Sequence, residues 1–428
     1  GRPNLPRCDI APPTAESLSR YHVVIKSPGI SPYKSPVPEA LEAGVRFVSG
    51  TALWFAERGS ARTIAVTGTK GKSTTVALIA HLLRAAGRRV ALCGNIGIPL
   101  LELLDPPAEP DWWVIELSSF QTRDMEAVPE VAVVLNLFPE HLDWHAGHDN
   151  YARDKLAILG DAGLRPRLSI LGPDVEPSLH AAATHDGDVG GASAPTEVVV
   201  GAEAPPVVRF GMPSGFHPTE EGIARGGTLL VPWRDLPLPG RHNALNVCAA
   251  LTVLDSIGVD VATVLPALAT FEALPHRLQP LGVRDGLEYV NDSIATTPHA
   301  TLAALAFFAQ RKVTVLVGGY DRGVPWAVFR TGMEAAPVHA VIAMGQNGAR
   351  IAAALGGLSN PRVLRAETLD EAMPLAREIT PAGGVVLLSP GAPSFGEFRD
   401  YVERGQRFAQ LAGFDPDAIA SIGGLGIA

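Results

Sequence analysis

The stretch "TIAVTGTKGKSTT", Thr63 to Thr75, decides how this chain is read. It opens as a β-branched apolar run, passes through a Gly/Thr/Lys loop and leads into Ala- and Leu-rich sequence. That order predicts a buried strand, a tight turn and a helix from Ser73 to Ala86. The common nucleotide loop GxxxxGK[ST] would need glycine at position 66, which is Val66; Gly68 stands three residues before Gly71 instead. The means of anion binding are nevertheless present. Backbone N–H groups at a helix N-terminus point at a phosphate, Lys72 supplies charge, and Ser73 or Thr74 can reach a magnesium ion.

Outward from that loop, short β-branched runs alternate with helical runs, the pattern of parallel sheets covered by helices. Strands are predicted in "YHVVIKS", "RTIAVTG", "RRVALCG", "DWWVIELS", "VAVVLNL", "LEYVNDS", "VTVLVGG", "HAVIAMG" and "GVVLLSP", with a further helix over Pro298 to Gln310. The fold class is therefore α/β. At 428 residues, and ~150 residues per domain, about three domains are expected. Pro275 and Pro280 break helix continuity before a new strand series begins, which marks a boundary. The division read here is an N-terminal domain over 1–62, a central nucleotide-binding domain over 63–272 and a C-terminal α/β domain over 273–428. Residues 181–205, poor in bulky apolar side chains, read as a surface excursion.

The net charge of −9, with no block of Lys and Arg, disfavours a nucleic-acid partner and favours a small molecule. Cys8, Cys93 and Cys248 are odd in number and far apart, so neither a zinc site nor a disulfide framework is expected. The N-terminal residues lack the apolar core of a signal peptide. Ala249 to Thr270, the most apolar long stretch, carries Asp255, Asp260 and Pro266, so it reads as a buried helical region and not as a membrane span. A cytoplasmic monomer without membrane contact is the expectation.

Two further segments carry chemistry. "VIELSSFQ" ends a strand in Glu116, a carboxylate where magnesium could be held. "NLFPEHLDWH" clusters Glu140, His141, Asp143 and His145, a ligand set or simply a solvated loop. By composition Lys155 is an ordinary surface lysine. No GxGxxG follows a strand, and no Ser/His/Asp arrangement for nucleophilic catalysis is read.

With these blocks in view the sequence resembles the Mur ligases, ATP-dependent enzymes of cell-wall precursor synthesis, and among them the MurD-type group that adds glutamate to UDP-N-acetylmuramoyl-alanine. "GTKGKST" matches the family's GTxGKST loop. "GNIG" (Gly94 to Gly97), "ELSSFQ" (Glu116 to Gln121), "EHLDWH" (Glu140 to His145), "GRHNALN" (Gly240 to Asn246), "LPHR" (Leu274 to Arg277), "NDS" (Asn291 to Ser293) and "LSPGAPSFGEFRDYVERG" (Leu388 to Gly405) follow in the family's order. The resemblance implies a Rossmann-like N-terminal remnant, a central P-loop-type ATPase domain and a Rossmann-like C-terminal domain.

It also implies roles. ATP would be bound by Gly68, Thr69, Lys70, Gly71, Lys72, Ser73 and Thr74, with Asn243 and Asn246 at the adenine, Arg277 at the γ-phosphate and Asp292 at the ribose. Two magnesium ions would be held by Ser73, Glu116, His141 and Lys155, the last as a carbamate. Ser27, Pro28, Gly29, Asn95, Ser118 and His141 would position the UDP-sugar, and Thr296, Arg322, Ser394 and Tyr401 the amino acid. Lys72, Glu116, His141, Lys155 and Arg277 would serve catalysis through an acyl phosphate.

Three departures stand out. The family's opening strand and glycine turn, which hold uridine, are not in the sequence, so the N-terminal domain reads as incomplete. Ile294 replaces the lysine of "DSKAT", and Arg322 replaces a lysine in "GGYDRG". Both changes fall in the amino-acid site. D-glutamate is the family's usual substrate; the changes favour altered recognition and are compatible with L-glutamate, as in a variant group that works with a separate epimerase. A folylpolyglutamate synthase-like ligase and a nucleotide-dependent switch are the competing readings.

Overall fold

The computed structural model describes residues 12–96, 98–160, 163–175, 206–236, 238, 240–272, 274–419 and 426–427. The predicted excursion at 181–205 and Cys8 lie outside them. The chain forms two compact units that divide between Phe271 and Glu272, with Gly426–Ile427 returning to the first.

In the first unit, β1 (Val23–Lys26) and β2 (Arg46–Ser49) pair in parallel. The main sheet is built from β3 (Thr63–Thr67), β4 (Val90–Gly94), β5 (Trp112–Glu116), β6 (Val131–Val134), β7 (Leu168–Leu171) and β8 (Val207–Arg209). Its order is β4-β5-β3-β6-β7-β8, all parallel, and Gly426–Ile427 adds an antiparallel edge on β4. Every residue of β3 and β5 is buried. Strands covered on both faces have no polar side to show, hence their unbroken apolar sequences. The chain leaves β3 for β5 and β4 on one side and β6 on the other, and ligands of open α/β sheets bind at such a reversal, beyond the carboxyl ends of the strands. A small antiparallel sheet follows, from β9 (Phe216–Pro218), β10 (Gly222–Arg225) and β11 (Thr228–Pro232).

The helix Lys72–Ala85 begins one residue before the position read from sequence, capped by Gly71 in a left-handed conformation, and packs against the helix Arg241–Ser256. The apolar stretch from Ala249 is not one long helix. It continues as short pieces, Val261–Val264 and Leu265–Thr270, because Gly258 (φ 82°) turns the chain and Pro266 lacks the N–H a continuing helix needs. Cys93 and Cys248 are free and buried. Among the described residues no helix is long and apolar enough to cross a membrane.

The second unit carries β12 (Gln279–Arg284), β13 (Leu287–Asn291), β14 (Val313–Gly318), β15 (Ala340–Met344), β16 (Arg362–Arg365) and β17 (Val385–Leu388). Their order is β12-β13-β17-β14-β15-β16, with β12 antiparallel and the rest parallel. One face packs Phe308, Phe329, Met333 and Ile351 against the sheet, the other Leu369, Met373 and Phe408. Helices thus cover both faces, as the α/β pattern requires.

Leu78 is wholly buried in the helix Lys72–Ala85. Leu78→Ala is expected to cost the first unit about 2–5 kcal/mol, the transfer term plus a cavity, read as a lower urea midpoint with unchanged circular dichroism in the absence of denaturant.

Candidate functional site

The phosphate loop is fixed by close packing. Gly68, at φ 153°, runs past Leu135, whose Cβ would lie 2.9 Å from an added Cβ. Gly71, at φ 87°, leaves room for Asn246, whose Oδ1 would meet a Cβ at 2.3 Å. The Thr69 hydroxyl accepts from the Phe138 N–H at 2.9 Å and lies 2.6 Å from the Tyr151 hydroxyl. Asn136 grips Lys70 twice: its Oδ1 accepts from the Lys70 N–H at 2.8 Å and its Nδ2 donates to the Lys70 carbonyl at 3.0 Å. Asn136 and Tyr151 escaped sequence reading. The one available signal was an asparagine ending an apolar run.

Lys72 Nζ donates to the carbonyls of Gly68 (3.0 Å) and Thr69 (3.2 Å), and Lys155 Nζ donates to the same Gly68 carbonyl at 3.0 Å. Lys155 is therefore not the surface lysine its composition suggested; it is buried. Burial, and then the charge of Lys72, push its pKa well below the ordinary lysine value, against the pull of Glu140 and Glu116. Glu140 bonds Lys70 at 2.7 Å. Burial works to raise the Glu140 pKa, but that hydrogen bond and the charges of Lys70, His141 and Lys72 hold it below its usual value. His141, in a left-handed conformation (φ 54°), is lowered chiefly by burial.

Glu116 ends β5 in the interior. Its Oε1 accepts from Asn95 Nδ2 at 2.8 Å, while its Oε2 is buried without a hydrogen-bond partner. A buried carboxylate oxygen left without a partner suits a divalent ion shared with phosphate oxygens. Among the described residues no group of three His, Cys, Asp or Glu side chains is placed to hold a metal. The fitting donors are mixed: Glu116, His141, the Ser73 hydroxyl and Lys155 if it becomes a carbamate. Ser118 caps the helix Ser119–Thr122, its hydroxyl bonding Gln121 Oε1 at 2.9 Å.

One arrangement escaped the sequence reading. Ser119 Oγ lies 3.0 Å from His145 Nε2, and His145 Nδ1 lies 2.6 Å from Asp154 Oδ2, the connectivity of a hydrolytic triad. Its three members meet from segments that sequence spacing does not relate. Ser119, His145 and Asp154 are all buried, and Phe120 stacks on the His145 ring. A hydroxyl sealed in this way meets no substrate; the arrangement is structural. Ser27 to Gly29 lie beside it, with Trp144 Nε1 donating to the Gly29 carbonyl at 3.0 Å.

The remaining predicted residues lie in the second unit. Asp292 accepts from the Leu278 N–H (3.1 Å) and the Ser389 hydroxyl (2.7 Å); burial raises it to about 6 against those bonds and Arg277. Arg322 and Thr296 are exposed, and the Arg322 guanidinium stands 6.0 Å from the Phe395 ring, a cation–π distance. Ser394 is buried and the Tyr401 carbonyl accepts from Ser293 Oγ at 2.8 Å. The unforeseen member is Arg404, fully buried, which donates to the carbonyls of Ala392 (3.0 Å) and Ser293 (2.8 Å). So Arg277, Asp292, Thr296, Arg322, Ser394 and Tyr401 belong to one unit, and Lys72, Glu116, His141, Lys155, Asn243 and Asn246 to the other.

Comparison with known proteins accords with these features. The family model for the Mur ligase middle domain matches residues 66–184, and that for the Mur ligase glutamate ligase domain matches residues 276–391. A UDP-N-acetylmuramoyl-L-alanine–L-glutamate ligase of Xanthomonas axonopodis pv. citri is 48% identical, with 97% of this chain and 86% of that protein covered. A protein of the same name from Salinispora tropica is 43% identical, with 92% and 84% covered. The crystal structure of MurF from Acinetobacter baumannii superposes with a TM-score of 0.60 at 19% identity, covering 87% of this chain and 89% of that one, a likeness of fold.

Gly71→Ala places a Cβ against Asn246 and forces a left-handed backbone on alanine. Equilibrium nucleotide binding should weaken at least about tenfold, with the far-ultraviolet dichroism retained. For Asp292, the folded pKa of about 6 lies above the unfolded 3.8, so its contribution is full below pH 4 and lost as pH rises through about 6. Asp292→Asn removes that dependence. Its stability relative to the parent should climb by about 3 kcal/mol between pH 4 and pH 7, measured by urea unfolding at each pH.

Proposed function

This chain belongs to the Mur ligase family, and on that premise we propose that it joins L-glutamate to the alanine carboxylate of UDP-N-acetylmuramoyl-L-alanine, spending ATP through an acyl phosphate. That it is an ATP-dependent, amide-forming ligase of peptidoglycan synthesis follows from the family. The L enantiomer is favoured by Ile294 and Arg322 in the amino-acid site and by the names of the relatives. The observation that carries the chemical reading is the meeting of Lys72 and Lys155 on the Gly68 carbonyl, in the unit where Glu116 keeps an unpartnered oxygen.

A free carboxylate is a poor acyl donor, because its negative charge repels a nucleophile. Transfer of the γ-phosphoryl group to the alanine carboxylate gives a mixed anhydride; attack by the glutamate amine forms the amide and expels phosphate. The loop N–H groups and Lys72 would orient the phosphates, and Arg277 would meet the γ-phosphate. Glu116, Ser73 and His141 would hold two magnesium ions, which when bound supply Lewis-acid neutralisation of phosphate charge. Lys155, disfavoured as an ammonium, is suited to add its neutral Nζ to carbon dioxide with loss of a proton, becoming a carbamate ligand. Arg322, propped on Phe395, would pair a substrate carboxylate with its planar fork, where the family's lysine offers a point charge. Soluble nucleotide substrates place the reaction in the cytoplasm.

Phosphate release and amide formation are to be followed with UDP-N-acetylmuramoyl-L-alanine, ATP, magnesium and either enantiomer of glutamate. Turnover with L-glutamate is expected; exclusive use of D-glutamate would overturn the enantiomer, and release without amide formation would overturn the ligase reading. Arg322→Lys should raise the KM for glutamate about tenfold and leave the KM for ATP unchanged.

A further inference from the structure

The carboxylate of Asp154 holds together four stretches of chain. Its Oδ1 accepts from the Tyr33 hydroxyl at 2.8 Å and forms an ion pair with Arg123 Nε at 3.0 Å, and its Oδ2 lies 2.6 Å from His145 Nδ1. Its backbone carbonyl accepts from Thr122 Oγ1 at 2.7 Å. Tyr33 belongs to the turn that begins at Ser27 and Arg123 follows the helix Ser119–Thr122. His145 ends the short helix Leu142–His145, and Asp154 itself lies on the helix His148–Leu156. A buried carboxylate is costly unless its oxygens are satisfied, and Tyr33, Arg123 and His145 satisfy these.

The next residue is Lys155. Successive residues of a helix point about 100° apart, so one rigid turn offers a carboxylate to the N-terminal turn and an amine to the Gly68 carbonyl, 3.0 Å away. The N-terminal turn is gripped from its other end as well. Lys26 Nζ, buried, pairs with Asp124 Oδ2 at 2.5 Å and donates to the Ile30 carbonyl at 3.3 Å, while Ser31 Oγ donates to the Trp144 carbonyl at 2.5 Å.

We propose that Asp154 is a positioning residue that fixes the turn Ser27–Tyr33 and the Lys155 helix to each other, so that the seat of the UDP-sugar and the orientation of Lys155 are set by one carboxylate. The tie itself is read from the hydrogen bonds; its kinetic meaning rests on the substrate reading above.

Amide hydrogen exchange tests the tie without any substrate. Tyr33→Phe removes one donor from Asp154 and keeps the ring. It should speed exchange both in residues 26–33 and in the helix 148–156 and leave the helix 72–85 as it was. Faster exchange at 26–33 alone, or at neither, overturns the tie. Kinetics test its consequence in the full chain. Tyr33→Phe should raise the KM for UDP-N-acetylmuramoyl-L-alanine about tenfold at unchanged KM for ATP. Asp154→Asn should raise the same KM and also lower kcat, and Asp154→Glu should recover part of the loss. If both KM values rise together, or only the melting temperature falls, Asp154 is scaffolding and the proposal fails. A parent enzyme inactive on this substrate would sink the functional reading instead, and the exchange result would still decide the tie.

Discussion

A single backbone oxygen, the Gly68 carbonyl, receives hydrogen bonds from two lysines, and the first unit is arranged to bring them there. The pair repel one another, and in the interior that repulsion adds to the cost of burying Lys155 as an ammonium. A region held electropositive in this way is preorganised for an anion, whose charge offsets the repulsion between the two lysines. The packing of Gly68 on Leu135 and of Gly71 on Asn246 keeps the loop in the one path that allows this.

The same economy of placement recurs around the helix His148–Leu156. Tyr151 touches the phosphate loop through Thr69, Lys155 reaches Gly68, and Asp154 faces the N-terminal turn. Burial pushes the Tyr33 phenol up to about 12, with the neighbouring carboxylate adding to it, so it remains a donor to Asp154 across the working pH range. Serine, histidine and aspartate thus line up as in a hydrolase for a wholly different end. Geometry alone does not make a nucleophile when the hydroxyl is buried and Phe120 stacks on its histidine partner.

The second unit relies on neutral partners. Arg404 is buried with backbone carbonyls around it, and burial lowers its pKa to about 10. His276, lowered by burial to about 4, accepts from Asn291 at Nδ1 and leaves Nε2 without a partner. These groups order the loops at the carboxyl ends of β13 and β17, where Ser293, Ala392 and Tyr401 meet, and leave Arg322 exposed beside Phe395.

The sequence by itself determined what is local. Strands buried on both faces must be apolar throughout, so β3, β5 and β14 were legible as runs. The phosphate loop was legible because its glycines, lysine and helix start fall within a few residues. The strands β2, β7, β8, β12 and β16 and the small sheet β9–β11 were missed: most are only three to five residues long, and several carry the mixed polarity of partly exposed edges. Tertiary structure alone decided the burial of Lys155, the orphaned oxygen of Glu116 and the wiring of Asp154. Lys155 meets Gly68 across 87 positions and Asp154 meets Tyr33 across 121. No periodicity records such pairings, because a side chain's charge state is set by the neighbours that folding brings to it and not by those beside it in the chain.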